Sequence, residues 1–177
     1  MYLKAAVLFS LLATSFAAPA STGDRIVKRG VLTVQDYSQF QVSSGVAGNA
    51  LAEVNANFPI DQSDLASVDA KDLAILKAAR ETAEAAETKA GGFNAAIEAA
   101  GGKNTDAGKA LQIGKIKNKV LKLQLQVMTL QIEAAQGKDT AAKLAKEQTK
   151  LANNIRLDED AAGKASTSVD FQGTSQP

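Results

Sequence analysis

The stretch that decides the fold is IGKIKNKVLKLQLQVMTLQIEA, running from Ile113 to Ala134. Within it Ile113, Ile116, Val120, Leu123, Val127, Leu130 and Ala134 follow one another at alternating steps of three and four residues, the seam spacing of packed α-helices. Leu121, Leu125, Met128 and Ile132 form a second row beside the first. Two adjoining rows bury more than one partner helix covers, so the spacing predicts a helix at the centre of the molecule. Bounded by Asp106 and Gln136, it would be about 46 Å long at 1.5 Å per residue.

On its N-terminal side Gly101-Gly102 makes a turn and Gly91-Gly92 a break, because glycine costs a helix interior about 1 kcal/mol per residue. A short helix is expected between them, from Phe93 to Ala100. Before it a longer helix starts after Asp69, whose carboxylate can accept N–H bonds of the first turn, with Asp72 near the positive end of the helix dipole. Leu73, Leu76, Ala79, Ala83, Ala86 and Ala90 line its inner face. Ser43-Ser44 is expected to cap an earlier helix carrying Ala47, Leu51, Val54 and Phe58, which Pro59 ends. Gly30 to Val42 reads as an extended arm.

On the C-terminal side Gln136-Gly137-Lys138-Asp139 is a compact turn, with Asp139 available as the next cap. Ala141, Leu144, Gln148, Leu151, Ile155 and Ala162 mark the inner face of a fourth long helix. After Ala165 the composition shifts to Ser, Thr, Gly and Gln, so 166–177 is expected to be a disordered tail, with Ser166, Thr167, Ser168, Thr174 and Ser175 open to O-linked sugar. Short turns place consecutive helices antiparallel. The expected fold is all-α: an up-and-down bundle of four main helices plus one short helix over 30–165, with an extended N-terminal arm.

Composition agrees with helices. Hydrophobic residues make up 45% of the 177, but aromatics only 5%, so the apolar content is mainly Ala, Leu, Val and Ile. The absence of Cys rules out disulfides, and helix packing alone must stabilise the fold.

Residues 1–17 read as a secretory signal peptide. Lys4 supplies the charged start, Ala5 to Leu12 the apolar stretch, and Ser15 and Ala17 the small residues three and one before the cut. The apolar stretch is far shorter than the roughly 20 residues needed to span a bilayer, and no later segment makes a transmembrane anchor. Lys28-Arg29 resembles a dibasic processing site, which would make 18–29 a pro-segment and Gly30 the mature start. Losing 1–29 would leave sixteen bases against eighteen acids, a net charge of −2. That balance gives no long-range attraction to nucleic acid.

No catalytic, cofactor-binding or metal-binding residues are predicted. Without His or Cys the commonest general base, the catalytic thiol and nearly all soft metal sites are missing. Asp61 with Asp64, and the run Asp158-Glu159-Asp160, are paired carboxylates, but both lie in polar stretches and read as solvated charge. The sharpest charge feature is the front of the central helix, where Lys109, Lys115, Lys117, Lys119 and Lys122 fall between Asp106 and Glu133 with no acid among them. Lys115, Lys119 and Lys122 share one face. Folding back near Gly102 should set them against Glu81, Glu84 and Glu87; the functional alternative is a patch for an anionic polymer or lipid headgroup.

The run from Phe40 to Asn55, FQVSSGVAGNALAEVN, together with Ile113 to Leu123, IGKIKNKVLKL, resembles cysteine-free small secreted proteins of filamentous fungi. With the leader, the likeness covers most of the chain. The resemblance implies an extracellular, cell-wall-associated or candidate-effector protein, and no functional residue carries over from it. The expected function is a secreted, non-enzymatic protein acting by surface contact with a cell-wall polymer, a host surface or a protein partner. The alternative is an extracellular carrier holding an apolar ligand, such as a fatty acid or other lipid, in its core.

Overall fold

A computed structural model of the protein describes residues 30–177. The expected signal peptide and the processing residues Ala17, Lys28 and Arg29 lie outside the described residues. The described chain is mostly helical. Its elements are α1 (Tyr37–Phe40), α2 (Ala50–Asn57), α3 (Ala70–Thr88), α4 (Phe93–Ala99), α5 (Asp106–Ala135) and α6 (Ala141–Asp160), with a 3-10 turn at Leu65–Ser67. Two short strands, β1 (Gly45–Val46) and β2 (Ala165–Ser166), pair antiparallel with Gly45 opposite Ser166.

Helix α5 is central: α2, α3, α4, α6 and β2 all pack against it. Its two apolar rows face two different clusters. Leu121, Leu125, Met128 and Ile132 join the larger one, with Ile75, Leu76, Ala79 and Ala83 of α3 and with Tyr37, Phe40, Val54 and Phe58. Val120, Leu123 and Val127 form the smaller one with Ala50 and Leu151, flanked by Leu144 and Ile155. The row frays at its ends, where Ile113 and Ile116 are half-buried and Ala134 is exposed. Thr105 caps the helix, accepting the Gly108 N–H on its hydroxyl at 3.0 Å.

Helix α3 starts as expected, with Asp69 Oδ1 accepting the Lys71 N–H at 2.7 Å. It runs antiparallel to α5, since Lys77 pairs with Glu133, Glu84 with Lys122 and Glu87 with Lys119. It ends at Thr88, so Ala90 is exposed rather than part of its inner face. The break at Gly91-Gly92 and the turn at Gly101-Gly102 fall where glycine permits positive φ, at Gly91, Gly101 and Gly102.

Other expectations need correction too. Ser43-Ser44 does not cap α2. Ser43 is fully buried and its carbonyl accepts the Ser166 hydroxyl, which holds this stretch beside β2. The helix starts only at Ala50, whose N–H donates to Asp158 Oδ2 at 2.8 Å, a cap supplied from 108 residues away. The arm is not extended throughout either. It turns at α1 and buries Tyr37 and Phe40, whose rings stand edge to face at 5.6 Å.

The tail is not disordered. Val169 and Phe171 pack against the main core, and the Phe171 ring meets Tyr37 edge-on at 5.9 Å. Backbone bonds run from Tyr37 N to Gly173 O at 2.7 Å and from Ser175 N to Gln35 O at 2.8 Å, tying this segment to the arm. Ser166 and Ser175 are buried, which closes them to sugar attachment in the folded state. Two apolar anchors and backbone pairing thus overcome a polar composition.

Helix α6 is the least covered. Leu151 and Asp158 are its buried residues, Leu144 and Ile155 are half-buried, and the expected inner residues Ala141, Gln148 and Ala162 are exposed. Among the described residues no helix is long and apolar enough to cross a membrane.

Candidate functional site

The cation-rich front of α5 divides between an outer and an inner set. On the outer side Lys115, Lys119 and Lys122 meet the acidic strip of α3. Glu87 lies 3.9 Å from Lys115, 3.3 Å from Lys119 and 2.8 Å from Lys122, and Glu84 lies 3.1 Å from Lys122. Glu81 takes no part and pairs with Arg80 at 2.9 Å. Burial works to raise the Glu87 carboxyl, but the hydrogen bond and charge of Lys122, with Lys119, outweigh it and hold it below its ordinary value of 4.5. Burial likewise works to lower Lys122, and the carboxylates of Glu87 and Glu84 hold it above 10.5. Farther along, hydrogen bonding from Lys77 outweighs the effect of burial and, with Lys138, lowers Glu133.

The inner set is where sequence reading fell short. Lys117 is fully buried, with its ammonium 2.9 Å from the Val46 carbonyl, 3.3 Å from that of Ser44 and 2.9 Å from the Glu53 carboxylate. Beside it Asn118, also fully buried, accepts the Tyr37 hydroxyl on Oδ1 and donates from Nδ2 to the Ala83 carbonyl, both at 2.8 Å. Burial pushes the Tyr37 phenol up to about 12. A signal for both existed: Lys117 stands three residues before Val120 and Asn118 three before Leu121, each in register with a buried row.

The carboxylate candidates separate in the same way. Asp61 and Asp64 lie in the loop after α2, where Asp61 accepts the Ser63 N–H and hydroxyl and Asp64 the Ser67 hydroxyl. With Asp69 and Asp72 they edge a cleft of about 320 Å³ at the start of α3. Of the run read as solvated, Glu159 and Asp160 are exposed, but Asp158 is 2% exposed and caps α2. Among the described residues no group of three or more carboxylates is placed to hold a metal ion.

A groove of about 410 Å³ lies between α3 and α6, floored by α5. Arg80, Lys119, Lys122 and Lys150 contribute cations to its walls, Glu84 and Glu147 carboxylates. It brings two of the three predicted patch lysines together with a base from each flanking helix, and Lys115 is not among its lining.

No curated protein and no solved structure matches this chain. One family model does, over residues 32–170, from the arm through β2 and nearly to Phe171. That span covers most of the 177 residues and takes in α5 with every helix packed around it, so the chain belongs to the family described as a domain of unknown function, DUF8454.

Proposed function

We propose that this is a secreted, non-enzymatic protein that works through its exterior, by contact with a polar polymer of a cell wall or host surface. The reading takes α2, α3, α5 and α6 as an up-and-down set with α4 as the short extra helix. The observation that carries it is the way α5 spends its apolar residues. Leu121, Leu125 and Ile132 are fully buried against α3 and the aromatic cluster, and Val120 against α2 and α6. An interior filled in this manner supports surface action over carriage of a fatty acid.

The groove between α3 and α6 is the part of the exterior best suited to that work. Guanidinium, ammonium, carboxylate and amide groups face each other across it, a lining that matches hydroxyl and anionic groups of a polymer and repels an acyl chain. Lys150 and Arg80 stand on opposite walls, so one substitution on each side tests it without touching α5.

Secreted protein co-sedimented with insoluble wall polymer should be retained, and Arg80→Glu with Lys150→Glu should lower retention about tenfold at unchanged thermal stability, as losing one to two kcal/mol of contact would. Retention that ignores both substitutions would sink the groove assignment. Recovery of the protein with a stoichiometric lipid in native mass spectrometry would sink the surface reading.

A further inference from the structure

Helix α5 changes character along its length. Its front is rich in lysine, but between Lys122 and Glu133 its polar residues are Gln124, Gln126, Thr129 and Gln131, none of them charged. Surface left to water ordinarily mixes charges of both signs, so an uncharged polar stretch is a departure that calls for a cause. Gln124 and Gln131 line a groove of about 310 Å³ between α5 and α2 with the loop that follows α2. Asn55 and Gln62 line it from that other side, which makes four primary amides and no ionisable group. Phe58, Ile60 and Val127, each less than a tenth exposed, give it an apolar floor.

The amides keep much of their hydrogen-bonding capacity. Gln124 donates from Nε2 to Asn55 Oδ1 at 2.9 Å, and Gln62 from Nε2 to the Ile60 carbonyl at 3.3 Å. Gln131 makes no side-chain hydrogen bond among the described residues. Each amide has two hydrogens to give and an oxygen with two lone pairs, so donors and acceptors remain side by side along the groove. Sugar hydroxyls match them in kind, because a hydroxyl both donates and accepts. The C–H faces of a sugar ring would lie on the apolar floor without leaving a polar group unpaired. Gln124 and Gln131 stand seven residues apart, about 10 Å along the helix, so the groove suits a run of rings rather than a single one. Ile60 also lines the neighbouring cleft of Asp61, Asp64, Asp69 and Asp72, a setting that disfavours an anionic chain. The groove itself has no carboxylate to hold a cationic one.

We propose that this groove binds a neutral polysaccharide chain, with the amides of Asn55, Gln124 and Gln131 pairing with its hydroxyls. Its ligand class rests on the proposed contact with a wall or host polymer, narrowed here to an uncharged chain, but no residue of the charged groove between α3 and α6 takes part.

Neutral hexasaccharides of glucose, mannose and N-acetylglucosamine, titrated onto the purified full chain, test it when the side-chain amide resonances are followed by NMR. At least one of the three should move Gln124 and Gln131 to saturation. Its affinity should change less than about twofold between 0.05 and 0.5 M salt, because no charge takes part. Gln124→Ala with Gln131→Ala should weaken binding about tenfold, whereas Arg80→Glu with Lys150→Glu should leave it unchanged. Amides that stay still with all three sugars, binding that falls with salt, or tighter binding of an oligogalacturonate in this groove overturns the proposal. If the double alanine variant does not fold, the wild-type titration and its salt series decide alone. Wall retention that depends on Arg80 and Lys150 while no hexasaccharide moves the amides removes this site and keeps the charged groove. Amides moved by a hexasaccharide while wall retention ignores Arg80 and Lys150 does the reverse.

Discussion

Lys117 shows what a single residue does here. Its ammonium is removed from water and held by two carbonyls of the β1 stretch and by Glu53, which is itself 39% exposed. Removing one partner of a buried ion pair costs about 3–5 kcal/mol, and the wet side of Glu53 places this pair at the lower end. Lys117→Met should therefore lower unfolding stability by about 3 kcal/mol in urea; a loss near zero would mean that the ammonium is not holding the β1 stretch. Periodicity places Lys117 on a buried row but does not name its partners, which lie 64 to 73 residues away. The outer lysines make a different prediction. Glu87 and Glu133 are depressed below 4.5, so their share of stability is present above that pH and disappears as the solution is acidified through their folded values. Lys122 is raised above 10.5, so its share holds below that pH and is lost as pH climbs through its folded value. Thermal melts should fall off at both extremes, and Glu87→Gln should flatten the acid limb; an unchanged limb would contradict the assignment.

At the scale of elements, helix start and stop signals were legible where the partner is local and illegible where it is not. Asp69 and Thr105 cap α3 and α5 through bonds two and three residues long, and the glycine pairs break the chain where steric freedom is needed. By contrast α2 waits for Asp158, and β1 exists because β2 returns to it. Gly114 joins the two cases. In an isolated helix Gly→Ala stabilises by about 1 kcal/mol. In α5, a Cβ at Gly114 would run into the Thr167 carbonyl oxygen and meet the Phe93 ring at 3.1 Å. Gly114→Ala should thus destabilise, by about 1–3 kcal/mol in denaturant midpoint at constant m-value, as overpacking does. A stabilised variant would show that the C-terminal segment does not lie against α5 in solution.

For the whole molecule, the helical class, the central place of α5 and the meeting of Lys115, Lys119 and Lys122 with acids of α3 could all be read from spacing and charge. The seated C-terminal segment and the groove could not, because both depend on which surfaces meet after collapse. Phe171 is one aromatic in a polar run, and its burial against Tyr37 follows from the path of the arm at the other end of the chain. Likewise Arg80 and Lys150 become neighbours of Lys119 only because α3 and α6 flank α5. Helix α5 is the solid centre of the molecule, and α6 is its thinly covered edge. Native-state hydrogen exchange resolved by residue tests this most directly. Amides from Val120 to Leu130 should exchange slowest among the described residues, near the rate set by global unfolding, while those from Lys143 to Lys150 in α6 should exchange much faster. Protection in α5 no greater than in α6 would contradict it.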